Sequence, residues 1–171
     1  MFDRSAYPQA MLAEVAALLA EVDAEIAARQ PVCRASGKCC KFEEYGHRLY
    51  VTGAELALFA RQLDAPPDSA THRSMPIQTA PPRPMVSLPQ FFSSDAPRGC
   101  PYQIDGLCTA REARPLGCRI YFCDERTTLW QNDLYERFHT RLTELHQQHA
   151  APYAYVEWRA GLRSLIDAAP I

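Results

Sequence analysis

The stretch Cys108-Thr109-Ala110-Arg111-Glu112-Ala113-Arg114-Pro115-Leu116-Gly117-Cys118-Arg119-Ile120-Tyr121-Phe122-Cys123 carries three cysteines, and Cys100 stands just before it. The other three of the seven, Cys33, Cys39 and Cys40, lie far upstream. The spacings are C-x5-C-C, then C-x7-C-x9-C-x4-C. An odd count in a chain whose first residues show no export pattern argues against a disulfide framework, because reduced thiols are the rule in the cytosol. Two tight clusters also argue against scattered core cysteines. A thiolate metal site is the expectation, with all seven cysteines as candidate ligands. The C-x2-C knuckle of common zinc ribbons and fingers is absent, and so are the ferredoxin runs. Cys39 and Cys40 are adjacent, and neighbours in an extended chain point to opposite sides. On that basis they are expected to reach different metals or different irons of one cluster, or one of them to stand just outside the ligand set.

Around the cysteines the chain reads as helical. Leu12, Val15, Leu19, Val22 and Ile26 recur every three or four residues and predict a helix over 9–29. Pro31 ends it. Residues 32–46 read as an irregular loop, and His47 to Val51 as a short strand. Thr52-Gly53-Ala54-Glu55 fits a capping box, opening a helix whose apolar face is Leu56, Phe59 and Leu63. Leu134, Phe138, Leu142 and Leu145 predict a third helix from about Thr127 to His149. Tyr153 to Trp158 fits a strand or the start of a helix. Trp158, Leu162, Leu165 and Ile166 mark a last short helix. Eight of the fourteen prolines fall within residues 62–99, which argues against a regular helix or a central strand there. A mobile loop is expected at about residues 64–84, followed by an extended segment with Met85, Val86, Leu88, Phe91 and Phe92 on the core. The fold expected over 1–171 is a single α+β domain, mainly helical, packed around an irregular cysteine-rich centre.

The 171 residues suffice for one domain with a continuous core. Eighteen basic against twenty acidic residues leave a net charge of -2. Such a balance lacks the footprint of a nucleic-acid or acidic-membrane binder. The apolar run Val15–Ala20 is far short of the roughly 20 residues of a membrane span. Glu14, Glu21, Asp23 and Glu25 interrupt the pattern a signal peptide would keep, so a cytoplasmic location is expected.

Cations gather at the cysteines. The two lysines of the chain, Lys38 and Lys41, flank Cys39-Cys40, and Arg34, Arg98, Arg111, Arg114 and Arg119 stand near other cysteines. Positive charge offsets the net negative charge of a thiolate centre. Pro115 biases Arg114 towards an extended conformation beside the site, and Gly117 permits a tight turn before Cys118. Arg114 and Arg119 are therefore the expected cofactor-contacting residues. Weaker candidates are His47, close to the first cluster, and His139, His146 and His149 on the third helix. Nucleotide-binding and hydrolase motifs are absent.

Gly37-Lys38-Cys39-Cys40 and Cys108-x5-Arg114-Pro115-x2-Cys118-Arg119-x-Tyr121 together resemble the YkgJ-type cysteine-cluster family, over about residues 33–123. The resemblance implies zinc or iron chelation. Arg111 stands where that family often has a tyrosine, and Phe122-Cys123 where many members have a proline. Some larger relatives act with protein lysine methylation on flagellin. The expected function is the holding of an iron–sulfur cluster or a zinc ion by clustered thiolates. Iron–sulfur is preferred, because knuckles are missing and cysteines exceed four. The alternatives are a cluster-dependent protein-modifying or redox enzyme, such as a lysine-methylation partner, and a zinc-stabilised interaction module. The partner expected is the metal or cluster, with a protein partner compatible and neither nucleic acid nor membrane.

Overall fold

The structure is a computed structural model that describes residues 2–33, 36–64, 99–123 and 127–167. Helix α1 spans Gln9–Arg29. Its stripe Met11, Leu12, Val15, Leu18, Leu19 and Val22 is buried, while Ile26 is partly buried against the same core. Gln30 adopts the left-handed conformation and donates its N–H to the Ile26 and Ala27 carbonyls, and Pro31 follows. The helix thus ends where the sequence places its end.

Strand β1 (Tyr50–Thr52) runs directly into α2 (Gly53–Asp64). The capping box forms: Glu55 N–H donates to Thr52 Oγ1 at 3.3 Å, and Thr52 N–H donates to the Glu55 carboxylate at 2.7 Å. Strand β4 (Tyr155–Glu157) pairs antiparallel with β1, Val51 opposite Val156, and passes straight into α5 (Trp158–Asp167). Both readings of Tyr153–Trp158 therefore meet in one place, since the strand is itself the approach to the helix. Between these elements lie a two-residue hairpin, β2 (Gln103–Ile104) with β3 (Leu107–Cys108), the short helix α3 (Leu116–Ile120) and the long helix α4 (Thr128–Gln148).

Helix α2 is buried from Gly53 to Ala60, on more than the one face its periodicity indicates. Ala54, Ala57 and Leu58 join the core formed with α1, α3 and α4, where Phe138 and Leu142 are fully buried. Leu56, Phe59 and Ala60 join a second core with Val51, Trp158, Leu162 and Leu165. Alanines on the α1 side let the helices approach closely. Phe59 meets Trp158 edge-on at 4.7 Å and Tyr102 at 5.0 Å, each pair worth about 0.5–1.5 kcal/mol beyond burial. Cys40 and Cys100 belong to this second core. The cysteine centre is therefore joined to the apolar interior.

The expected fold class stands: mainly helical α+β, with two small antiparallel sheets. No helix among the described residues is long and apolar enough to cross a membrane. The proline-rich stretch at 64–84 lies outside the described residues, apart from Asp64 at the end of α2. The apolar segment Met85–Phe92 lies outside them too, as do Arg34 and Arg98.

Candidate metal centre

Two chain segments far apart in sequence are joined through backbone. Cys100 N–H donates to the Cys40 carbonyl at 2.7 Å, and Gln103 Nε2 donates to the Gly37 carbonyl at 2.9 Å. Gly99 lies so close that a Cβ there would stand 2.6 Å from the Cys40 oxygen. Gly37, with φ +70°, opens a 3-10 turn over Lys38–Cys40. That turn corrects the extended picture of the vicinal pair. The Cys39 and Cys40 sulfurs lie 3.9 Å apart, and both face one cavity. Cys108 is delivered by the hairpin, whose tip Asp105-Gly106 has positive φ at both residues, the signature of a type I′ turn. The Asp-Gly pair is the signal in the sequence that marks this hairpin. Cys108 consequently stands opposite Gln103.

All seven predicted cysteines, Cys33, Cys39, Cys40, Cys100, Cys108, Cys118 and Cys123, line a single cavity of about 110 Å³. Cys40 and Cys100 are buried, Cys39, Cys108 and Cys118 half-buried, and Cys33 and Cys123 exposed. The Cys40 thiol engages Cys100, Cys108 and Cys39, and together with burial this keeps its own proton on. Its partners are shifted the other way. Hydrogen bonding from Cys40 leads in holding Cys39 down to about 6, helped by Arg114 and Arg111. Cys40 and then Arg114 hold Cys108 at about 7. Cys100 is also lowered, by Cys40 and by the Trp158 indole. Burial raises the Cys118 thiol. Among the described residues, no group of three or more His, Cys, Asp or Glu side chains forms a ready-made metal site. The thiols are gathered in contact with one another, so an ion would have to replace those contacts.

The donor chemistry of the cavity fits a thiolate-bound centre. Trp158 and Tyr102, each 2% exposed, also line it. Among the described residues, neither the indole N–H nor the phenol O–H has a hydrogen-bond partner. The indole N–H favours the Cys100 thiolate, short of a formed hydrogen bond. Two unpartnered buried donors beside seven sulfurs suit a sulfur-rich anionic guest. Sequence periodicity marks Trp158 as a core residue and Tyr102 not at all, since only tertiary contact brings either to the cysteines.

The two arginines separate. Arg114 lines the cavity, donating from Nε to the Arg111 carbonyl at 2.8 Å and from Nη1 to the Cys118 carbonyl at 3.3 Å. Arg119 does not line it. Buried at 7% exposure, its guanidinium donates to the Arg114 and Glu112 carbonyls, each at 2.6 Å, and pairs with Asp23 of α1. Arg119 ties the Cys108–Cys118 loop to α1. Lys38 lies over the Tyr45 ring and Lys41 pairs with Glu44, so neither lysine faces the sulfurs. Gly117 is helical within α3, and its bare Cα makes room for the Leu49 methyl group. This replaces the expected tight turn.

Glu55 has a second task that a local reading misses. One carboxylate oxygen serves Thr52, while the other accepts the Leu116 N–H at 2.8 Å. One buried side chain thus caps α2 and α3 together and sets the position of Cys118. Burial leads in raising its pKa. The histidines do not converge. His47 stacks on Tyr121 and bonds the Cys39 carbonyl, His146 bonds the Pro152 carbonyl, His149 meets Glu14, and His139 meets Tyr153. A second cavity, about 250 Å³, shares Cys39, Cys118 and Tyr121 with the cysteine cavity. No protein-family model, curated protein or solved structure matches the chain.

Proposed function

We propose that the chain holds a metal centre on cysteine thiolates, an iron–sulfur cluster by preference and a zinc ion as the alternative. The observation that carries the reading is the meeting of all seven cysteines on one cavity from two segments distant in sequence. The resemblance of Gly37–Cys40 and Arg114–Arg119 to the YkgJ-type family points the same way. Cys39, Cys40, Cys100 and Cys108 supply four contacting thiols, the ligand number of a tetrahedral zinc site and of common clusters. The preference for iron–sulfur rests on the surplus thiols and on the unpartnered Trp158 and Tyr102 donors. Such donors hydrogen-bond to cluster sulfur. When bound, a cluster supplies electron exchange, whereas zinc supplies folding energy.

Arg114 supplies positive charge to the thiolates from the cavity wall, and Arg119 acts at one remove by fixing the loop. The second cavity, which touches the centre through Cys39 and Cys118, favours a reactive centre as a second reading, a redox or protein-modifying enzyme. Metal analysis and visible absorption of anaerobically purified protein test the main reading. Broad visible absorption with iron and acid-labile sulfide is expected. A colourless protein with stoichiometric zinc moves the assignment to zinc. Protein that retains neither metal, and takes up neither on reconstitution, overturns it.

A further inference from the structure

The seven cysteines differ in burial and anchorage in a way that a single ligand set does not require. Four are anchored through their backbone or by burial. Cys39 and Cys40 sit in the 3-10 turn, Cys100 is bonded through its backbone to Cys40, and Cys108 is fixed in the hairpin. The Cys39 and Cys40 sulfurs lie 3.9 Å apart, and Cys40 also engages Cys100 and Cys108. Cys33 and Cys123 are different. Both are exposed, neither belongs to a helix or strand, and both still line the cavity that the inner four share. Cys123 meets the Ser36 hydroxyl at 3.5 Å, which draws the loop after α1 to the loop after α3 at the rim. Cys118 is half-buried and stands outside the group that engages Cys40.

We infer that the cysteines divide into an inner four, Cys39, Cys40, Cys100 and Cys108, that hold the metal, and a rim pair, Cys33 and Cys123, that passes it in and out by ligand exchange. The inference rests on the metal-binding reading and assigns it a direction of traffic. Of the inner set, Cys40 and Cys100 are buried in the second core and Cys39 and Cys108 are half-buried, so it is harder to reach from solvent than the exposed pair. Thiol ligand exchange depends on access and on thiolate availability. An exposed pair at the mouth meets an incoming ion first. Each metal–sulfur bond to a rim thiolate is then exchanged for one to an inner sulfur. Where the incoming inner sulfur still carries a proton, that proton passes to the displaced rim thiolate. No electron changes hands, and no further reactant is needed. The same exchange run backwards releases the ion to a thiol-bearing acceptor, so the rim would suit a carrier as well as a resident centre.

Cobalt(II) is a suitable probe, because thiolate-to-cobalt absorption reports how many sulfurs are bound. The full chain, stripped of metal, is offered cobalt(II) held by nitrilotriacetate, and uptake is followed in time. The double variant Cys33→Ser/Cys123→Ser is expected to reach the wild-type stoichiometry and band intensity. It should take up cobalt, and return it to excess chelator, about tenfold more slowly, as removal of the accessible exchanging thiol predicts. Cys40→Ser should instead lose band intensity. Since Cys33 and Cys123 are exposed, the double variant should melt with the wild type, which separates slow exchange from misfolding. A double variant with a weaker band or lower stoichiometry would make the rim cysteines permanent ligands and overturn the inference. Unchanged uptake and release rates would overturn it as well. Failure of the wild type to bind cobalt at all is a different result, and it strikes the metal-binding reading itself.

Discussion

Removing the Glu55 carboxylate should cost more than the loss of an ordinary helix cap. In Glu55→Ala three donors lose their acceptor: Thr52 N–H, Thr52 Oγ1–H and Leu116 N–H. Thr52 and Leu116 are at most 1% exposed, so water cannot take over without opening the core. Each orphaned buried donor costs about 1–3 kcal/mol. Relief from burying a carboxylate works against this, and the net loss expected is about 3 kcal/mol. Glu55→Gln keeps one acceptor oxygen but turns an amide N–H₂ towards a backbone N–H, for about 1–2 kcal/mol. The pH dependence has a definite sign. Burial raises the folded-state pKa of Glu55 above its ordinary 4.5, so within that window the folded chain binds more protons than the unfolded. Stability from this group is therefore greatest at low pH and declines as pH rises through the raised value. Urea denaturation of wild type and both variants, repeated across the acid-to-neutral range, measures it. The advantage of wild type over Glu55→Gln should narrow as pH rises above about 4.5. A Glu55→Ala loss under about 1 kcal/mol, or an advantage that widens with pH, would refute the capping role.

Other outcomes follow from the same contacts. Arg119→Gln gives up two carbonyl bonds and the Asp23 pair and should lose about 2 kcal/mol of stability. Arg114→Gln should melt near wild type yet retain less metal, and equal retention in both would remove Arg114 from the site. Gly99→Ala sets a methyl group against the Cys40 carbonyl. It should destabilise by about 2 kcal/mol and lower the number of cobalt-bound thiolates, both absent if the two segments separate freely. His146 is held below its ordinary 6.5 by burial, so its contribution is present above that value and lost as pH falls. His146→Gln should flatten this acid-side slope in calorimetry, by at most about 1.4 kcal/mol per pH unit.

Helix α1, the Thr52–Glu55 box and the start of α4 were legible because each depends on neighbours within a few turns. Apolar spacing, a capping hydroxyl and Pro31 act locally, and tertiary packing reinforced them. The cysteine spacing likewise marked all seven residues and the absence of zinc knuckles. Three matters were beyond its reach. Adjacent Cys39 and Cys40 turn the same way because Cys40 N–H closes a 3-10 turn on the Gly37 carbonyl, which Gln103 also engages from across the molecule, and spacing does not reveal that turn. Arg114 and Arg119 have the same residue type in the same motif, yet one faces sulfur and the other is drawn to Asp23 on α1. Trp158, Tyr102 and the second bond of Glu55 come to the centre through the packing of α2 against α5 and α3. Charge and periodicity along a chain say what each residue can do. Which partner it finds is settled by the sum of long-range burial, and that sum exists only in the folded chain.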